Sequence, residues 1–246
     1  MAKVVEALDP APDETFLEIG PGRGALTAAL APRVRRVIAV EIDRDLAAAL
    51  PARVPANVHT VVGDMLRVDV DALLRDEPRP VRVAGNLPYN VASPILFRLL
   101  EAAGDGRALR DAVVMLQQEV ADRVVAVPGD KAYGALAIQV QLLADVDRLL
   151  TLPPGAFRPP PTVTSALVRL RFRAAAAEVG DRAAFGRLVR TLFQQRRKTL
   201  LNALRPLLDS SLRSASQVIA EAGLNAASRP ETLTIDEMAR LARAVL

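Results

Sequence analysis

The sequence lacks cysteine and tryptophan, and its 246 residues include one histidine and only 3% aromatic residues. Without cysteine there is no disulfide framework, no thiolate nucleophile and no cysteine-ligated metal. A single histidine also makes a histidine-rich zinc site or a serine–histidine–aspartate triad hard to build. That histidine, His59, opens a strand candidate without a second histidine or an adjacent carboxylate, and we expect it to be structural. The composition therefore predicts a protein without a bound metal.

Long apolar runs are missing as well. No run approaches the ~18–20 residues that span a bilayer, and Met1–Pro12 lacks the basic and then apolar regions of a secretion signal. The chain is nevertheless 51% apolar and 24% charged, which is too apolar for disorder and sufficient for a substantial buried core. We expect a soluble, cytoplasmic protein with no membrane partner and, by default, a monomer.

Excess positive charge is confined to the end of the chain. Residues 1–175 carry 21 Lys and Arg against 21 Asp and Glu, whereas residues 176–246 carry 11 against 7. The whole formal net charge of +4 therefore comes from the last part of the sequence. A neutral body with a basic tail suggests a polyanionic partner that the tail holds, although a plain solvated surface also gives a charge this small.

Short β-branched runs alternate with stretches of helical spacing rich in Ala, Leu and Arg. The strand candidates are Thr15–Gly20, Val37–Glu41, His59–Gly63, Val81–Gly85, Ala112–Leu116, Ile138–Leu143 and Ala166–Phe172. Because the first five alternate with helical stretches, they predict βαβ units and a parallel sheet. A Pro-rich connection separates the last two candidates, which suits an antiparallel hairpin at the sheet edge.

The composition changes near Ala174–Gly180, and the pattern beyond it is helical. We therefore predict an α/β domain at 1–175 followed by a small all-helical domain at 176–246. Between Phe185 and Leu204 apolar residues recur at roughly helical spacing, which indicates an amphipathic helix.

A glycine-rich turn follows the first strand candidate and precedes a helical stretch. Gly20, Gly22 and Gly24 have G-x-G-x-G spacing. Glycines allow a tight turn and let a ligand approach bare backbone at a helix N-terminus. The same residues also suit a turn without a ligand, so the loop alone is a weak signal.

Acidic residues end the next two strand candidates. Glu41 stands where a carboxylate accepts hydrogen bonds from both ribose hydroxyls of a nucleoside cofactor, whereas nearby Asp43 better suits a helix cap. Asp64 is placed to accept from an exocyclic amine such as adenine N6, with Met65 or Leu66 against the ring. These residues share the carboxyl edge of the sheet with the glycine loop and predict a nucleoside pocket. They do not separate NAD from S-adenosylmethionine, although G-x-G-x-G favours a ligand without phosphates.

The fourth strand candidate ends in Gly85-Asn-Leu-Pro-Tyr89, beside the same edge. An aromatic amine is a poor nucleophile because its lone pair is delocalised into the ring. The Asn86 side chain and the Leu87 carbonyl are acceptors that bind amine hydrogens and favour a pyramidal nitrogen, and Tyr89 offers a stacking face. The alternative is a simple turn at Pro88 that closes a strand.

Seven stretches of the sequence carry a resemblance to a known family. They are Leu17–Gly22, Val40–Leu46, Gly85–Asn90, Met115–Val120, Lys131–Gly134, Phe157–Ala166 and Gln195–Thr199. Through them, the chain from Ala7 to its C-terminus resembles the bacterial small-subunit rRNA adenine N6,N6-dimethyltransferases. The resemblance implies a Rossmann-like class I methyltransferase domain that uses S-adenosylmethionine, followed by a helical RNA-binding domain.

The resemblance also implies roles for particular residues. The cofactor-binding positions of the family fall on Gly20, Glu41, Asp64 and Asn86, to which the residue analysis adds Gly22, Gly24 and Met65. Its catalytic loop falls on Asn86, Leu87, Pro88 and Tyr89. Phe157 matches an aromatic residue that sandwiches the target adenine against Tyr89. The expected substrate is a pair of adjacent adenines in a hairpin near the 3′ end of small-subunit rRNA, within pre-30S particles.

The basic tail is interpreted in the same light. Arg196, Arg197 and Lys198 lie in the stretch that matches the family, and contact with RNA phosphates is favoured over a solvated face. At the other end, family members carry Gly-Gln-(Asn or His)-Phe-Leu ahead of the first helix, in a segment that closes over the cofactor. Met1 begins within that helix here, so the motif is missing from this sequence. Either the true start lies further upstream, or the sequence was shortened, or the chain lacks the segment, and in the last two cases we expect weaker cofactor binding and lower activity.

Three other interpretations remain open at this point. A relative that modifies large-subunit rRNA and confers antibiotic resistance shares the fold and the loop, although Leu87 and Gln195–Thr199 favour the small-subunit type. A non-catalytic assembly factor would bind pre-30S particles without transferring a methyl group. An NAD-dependent oxidoreductase would need an acid or base for hydride transfer, and Asn86–Tyr89 argues against it.

Overall fold

The structure is a computed structural model that describes residues 1–104, 106–156, 163–208 and 213–245. The strands are β1 (Thr15–Ile19), β2 (Arg36–Glu41), β3 (Val58–Val62), β4 (Val81–Asn86), β5 (Leu109–Gln117), β6 (Ala144–Leu152) and β7 (Ser165–Phe172). The first helices are α1 (Ala2–Leu8), α2 (Ala25–Leu30), α3 (Arg44–Ala49), α4 (Val70–Leu73), α5 (Ala92–Ala102) and α6 (Gln118–Val125). The later ones are α7 (Ala135–Leu143), α8 (Arg182–Gln194), α9 (Leu200–Leu208), α10 (Ala215–Glu221) and α11 (Ile235–Val245).

The strands form one mixed sheet in the order β3-β2-β1-β4-β5-β7-β6. β1 to β5 pair in parallel, and β7 runs antiparallel between β5 and β6. The central strand β1 is buried along its whole length, as expected where both faces of a parallel sheet are covered. The predicted Rossmann-like α/β fold is therefore confirmed. An antiparallel pair does lie at the sheet edge, but only one of its strands, β7, is a predicted one.

One predicted strand is wrong. Ile138–Leu143 lies in helix α7, and the edge strand β6 begins directly after it at Ala144. The helix buries Leu136, Ile138 and Val140, so its sequence is an apolar run without a polar face. A short apolar run of this kind does not distinguish a buried strand from a buried helix by periodicity, and its β-branched residues favoured the strand.

The single amphipathic helix predicted between Phe185 and Leu204 is also wrong. α8 ends at Gln194 and α9 begins at Leu200, and the five residues between them form a turn. Within this turn the Lys198 amide donates to the Gln195 carbonyl at 2.8 Å. The apolar side chains of both helices pack in one core. The apolar residues therefore keep a roughly helical spacing in the sequence although a turn separates the two helices.

The chain forms two compact units. The sheet unit comprises Met1–Ala121 and Ala144–Ala174, and the helical unit comprises Asp122–Leu143 and Ala175–Leu246. The expected boundary at 175/176 lies one residue from the point after Ala174 where the chain enters the helical unit for the second time, but the expected first domain also included 122–143. That segment joins the helical unit because α7 and the fully buried ring of Tyr133 pack in its core.

A buried ion-pair network joins the amino ends of the central strands in the sheet unit. Arg82 of β4 is 3% exposed and donates two hydrogen bonds of 2.8 Å to Asp111 of β5. It also donates to Glu14 at 3.0 Å and lies 4.9 Å above the Phe16 ring. The network ties β1, β4 and β5 together at the edge opposite their carboxyl ends. Among the described helices, none has both the length and the apolar character needed to cross a bilayer.

Candidate active site

Four neighbouring strands of the sheet unit bring the predicted site residues to one edge. Across the sheet, Asp64, Glu41, Gly20 and Asn86 lie at or just beyond the carboxyl ends of β3, β2, β1 and β4. The pairing registers bring these strand ends level with one another. Since paired strands are ~4.8 Å apart, the four ends span roughly 14 Å, a width that suits a nucleoside-sized ligand.

The glycine loop has the backbone conformation that its sequence predicts. Gly20, Gly22 and Gly24 have φ values of 65°, 57° and 82°, in the left-handed region that L side chains rarely adopt. A Cβ on Gly24 would stand 2.6 Å from Cδ1 of Leu50, so a side chain there would displace the end of Leu50 in addition to straining the backbone. Nothing lies within 4 Å of the Cβ position of Gly22, which leaves open space beside the loop backbone.

Glu41 anchors this loop from the end of β2. Its side chain is almost fully buried, with Oε2 accepting from the Gly22 amide at 2.9 Å and Oε1 accepting from the Asp43 amide at 3.0 Å. Each carboxylate oxygen can accept a second hydrogen bond, which suits a pair of adjacent ribose hydroxyls. Asp43 caps α3 by accepting from the Asp45 and Leu46 amides.

Asp64 and Met65 follow β3. Oδ1 of Asp64 accepts from the Leu66 amide at 2.9 Å, and a third of the Asp64 side chain remains exposed. Met65 is buried. Sequence reasoning missed two apolar neighbours: Ile42 is 68% exposed and Val62 is 54% exposed. Ile42 directly follows Glu41, so an exposed apolar side chain adjoins the carboxyl edge of the sheet.

The Asn-Leu-Pro-Tyr loop (Asn86–Tyr89) continues from β4. Asn86 is exposed, whereas Leu87 is buried and its amide donates to the Met115 carbonyl at 3.2 Å. Pro88 starts a turn in which the Val91 amide donates to the Pro88 carbonyl at 3.1 Å. A Cβ on Gly20 would stand 3.9 Å from the Asn86 carbonyl oxygen, so the glycine loop lies against this loop. Phe157, the predicted partner of Tyr89, lies outside the described residues.

Glu18 precedes the glycine loop and is a buried carboxyl group to which sequence reasoning gave no role. It lies in β1 two residues before Gly20 and is 1% exposed. Burial raises the pKa of its carboxyl group to about 7, the Thr27 amide opposes the rise, and the Glu41 carboxylate adds to it. Oε2 of Glu18 has no hydrogen-bond partner among the described residues. An unpartnered buried oxygen next to a glycine loop is a feature that a polar ligand would satisfy.

The raised pKa of Glu18 predicts that the free energy of unfolding depends on pH. Because the pKa rises from 4.5 to about 7 on folding, the stabilisation is complete below pH 4.5 and is lost as the pH rises through 7. The free energy of unfolding should fall by roughly 3 kcal/mol over this range on account of Glu18 alone. Glu18→Gln stays neutral and should remove this slope in urea unfolding between about pH 5 and pH 8. Glu6→Gln, at an exposed position, is the control, and an unchanged slope in Glu18→Gln contradicts the prediction.

The basic turn (Arg196, Arg197 and Lys198) connects α8 and α9 in the helical unit. Arg197 and Lys198 are exposed. The Arg196 side chain already has partners in the helical unit: it donates to the Lys131 carbonyl at 3.0 Å, and its Nε lies 3.9 Å from Oε2 of Glu231. Two side chains of the turn are therefore available to a polyanion, and the third also holds the helical unit together.

No group of three or more metal-binding side chains that could hold an ion occurs within the described ranges. The sheet order, the glycine loop, the acidic strand ends and the Asn-Leu-Pro-Tyr loop define a Rossmann-like methyltransferase. The sequence profile of the ribosomal RNA adenine dimethylase family matches residues 1–245, and the chain belongs to that family. Membership confirms the resemblance and excludes an NAD-dependent oxidoreductase.

Relatives and solved structures agree with this assignment. The chain is 42% identical to the ribosomal RNA small subunit methyltransferase A of Acinetobacter baylyi, over 98% of this chain and 85% of the relative. The crystal structure of a dimethyladenosine transferase from Plasmodium falciparum shares the fold, with a TM-score of 0.79 and 23% identity over 98% of this chain and 92% of that one. The 23S rRNA methyltransferase ErmE matches with a TM-score of 0.69 and 25% identity, over 99% of this chain and 96% of ErmE.

Proposed function

We propose that this chain transfers methyl groups from S-adenosylmethionine to N6 of two adjacent adenines in the 3′-terminal hairpin of small-subunit rRNA. The substrate is the rRNA within pre-30S particles. The observation that carries the proposal is the position of the Asn-Leu-Pro-Tyr loop at the carboxyl edge of the sheet, where the Asn86 carbonyl oxygen lies 3.9 Å from the Cβ position of Gly20. The small-subunit choice is supported by a relative that is 42% identical, against 25% for the large-subunit enzyme ErmE.

The residues at this edge fit S-adenosylmethionine. Gly20, Gly22 and Gly24 would leave room beside the loop backbone, and Glu41 would accept from the ribose hydroxyls. Asp64 would accept from adenine N6, next to Met65. The carboxyl groups along the edge favour a positively charged ligand over a pyrophosphate. When bound, the cofactor supplies a methyl group on a positively charged sulfur, which needs no further activation by the protein.

The chain's own residues prepare the acceptor nitrogen. The Asn86 side-chain oxygen and the Leu87 carbonyl accept hydrogen bonds from the two amino hydrogens of the adenine, which draws the nitrogen out of conjugation with the ring. The target base must leave its stack to reach them, and Tyr89 supplies a face to hold it. Since the nitrogen becomes acidic once it carries positive charge, no strong base is required, in keeping with a chain that has one histidine.

The basic turn would hold the RNA backbone. Arg197→Ala with Lys198→Ala should weaken binding to 30S subunits about 10-fold at physiological salt. It should also reduce the magnitude of the slope of log affinity against log salt by about 1.4 to 1.8. Arg75→Ala with Arg107→Ala removes the same charge from exposed positions of the sheet unit and should leave the slope unchanged. Equal slopes for the two double variants would exclude the turn from the RNA interface.

Calorimetric titration and substrate competition test the proposed function. S-adenosylmethionine should bind the chain with one-to-one stoichiometry, whereas NAD should not bind. With a methyl-labelled cofactor, undermethylated 30S subunits should take up label in preference to 23S rRNA. Label in 23S rRNA would favour the large-subunit activity. Binding of pre-30S particles without uptake of label would identify an assembly factor and overturn the proposal.

A further inference from the structure

We infer that Ser165 is a positioning residue whose buried hydroxyl group holds the Tyr89 ring in the orientation that receives the target base. This inference rests on the proposed function, because it assigns a task to a residue that acts through Tyr89. It adds Ser165 to the residues on which transfer depends.

The sheet topology brings Ser165, from a distant part of the sequence, to the carboxyl edge of the sheet. Ser165 is the first residue of β7, which runs antiparallel to β5. Ser165 pairs with Gln117, the last residue of β5. β5 lies next to β4, where Asn86 pairs with Met115. An antiparallel strand begins where its parallel neighbours end, so Ser165 lies at the carboxyl edge beside the Asn-Leu-Pro-Tyr loop.

The contact between the two side chains is made by their hydroxyl groups. The Tyr89 hydroxyl lies 3.4 Å from Oγ of Ser165, and either oxygen can donate. Ser165 is 1% exposed, whereas Tyr89 is 39% exposed. A buried hydroxyl left without a partner is destabilising, so Ser165 favours the Tyr89 conformation that supplies one.

Tyr89 is the member of its loop that needs this support. Asn86 belongs to β4, the Leu87 side chain is buried, and Pro88 has a restricted φ. The Tyr89 ring is exposed, so burial restrains its two side-chain torsions less than it restrains Leu87. A stacking platform works only when its ring is held in the productive position. A hydrogen bond at the phenolic oxygen fixes the direction in which the ring points, and it leaves both faces of the ring uncovered.

A double-mutant cycle on methyl transfer to 30S subunits tests the inference. Ser165→Ala and Tyr89→Phe each remove the contact from one side and should each lower kcat about 10-fold. KM for 30S subunits and the Kd for S-adenosylmethionine should stay within about 2-fold of wild type. The double variant should be no slower than either single variant, because the contact can be lost only once. Thr164→Ala removes the neighbouring hydroxyl and is the control.

The outcomes separate this inference from the proposed function. A wild-type kcat in Ser165→Ala or in Tyr89→Phe would overturn the positioning role. It would also be overturned if the kcat of the double variant fell by the product of the two single effects. A loss of kcat that follows a fall in melting temperature would show a merely structural role and overturn it as well. If Ser165→Ala does not fold, Tyr89→Phe alone decides, since it removes the same contact from the exposed side. An inactive wild-type chain would instead refute the proposed function.

Discussion

Replacing Asn86 with alanine should lower methyl transfer about 1,000-fold while leaving the affinity for 30S subunits unchanged. The Asn86 side chain supplies an acceptor that acts on the reacting amine alone, and removing one such preorganised group typically costs 100- to 1,000-fold. Asn86 ends β4 and its side chain is exposed, so its loss leaves no buried group unpaired.

Single-turnover transfer of labelled methyl to 30S subunits measures the first quantity, and filter binding measures the second. Asn202→Ala, at an exposed position in α9 of the helical unit, is the matched control and should transfer methyl at the wild-type rate. A variant that loses RNA affinity along with activity, or that keeps its activity, would contradict the role given to Asn86.

Replacing Glu41 with alanine should weaken binding of S-adenosylmethionine about 1,000-fold, because two charge-assisted hydrogen bonds to the ribose are worth about 2 kcal/mol each. The same change removes the acceptor for the Gly22 amide, 2.9 Å away, and loosens the glycine loop. Glu41→Gln keeps a side chain of the same shape with one acceptor oxygen, and its loss of affinity should be smaller.

Calorimetry of the two variants measures this effect, with Glu101→Ala at an exposed surface position as the control. RNA affinity should be unchanged in all three proteins, since the Glu41 side chain is buried and cannot meet a phosphate. An unchanged dissociation constant for the cofactor in Glu41→Ala would remove Glu41 from the site.

The positions of the candidate site residues at the carboxyl edge could be predicted because their signals are local. A strand followed by glycines, and two strands ending in Glu41 and Asp64, each lie within a few residues of sequence. The parallel topology then brings the strand ends together without further information, since carboxyl ends of parallel strands share one edge. The same rule placed Asn86 next to Gly20.

The residues that sequence reasoning missed depend on long-range packing. Tyr89 and Ser165 are 76 positions apart, and nothing near Ser165 shows that its hydroxyl group would meet a ring. The raised pKa of Glu18 follows from burial between layers of the fold, which the sequence around it does not reveal. Ile42 was not recognised because an exposed isoleucine contradicts the usual expectation that isoleucine is buried.

The errors in secondary structure have the same origin. α7 was mistaken for a strand because it is buried on more than one face, and its partners come from α8 and α11, far along the chain. Those contacts also explain why 122–143 belongs to the helical unit although the sheet unit flanks it in sequence. In both cases tertiary packing overrode the local pattern.

The most direct test of the proposed activity is to identify and map the methylated nucleosides after reaction. Undermethylated 30S subunits are incubated with the wild-type chain and S-adenosylmethionine, and the rRNA is then digested and analysed by mass spectrometry. We predict N6,N6-dimethyladenosine at two adjacent positions of the 3′-terminal hairpin. The modified nucleoside should be absent when the Asn86→Ala variant is used in place of the wild-type chain. Methyl groups confined to other positions, or none at all despite binding of the particle, would contradict the assignment.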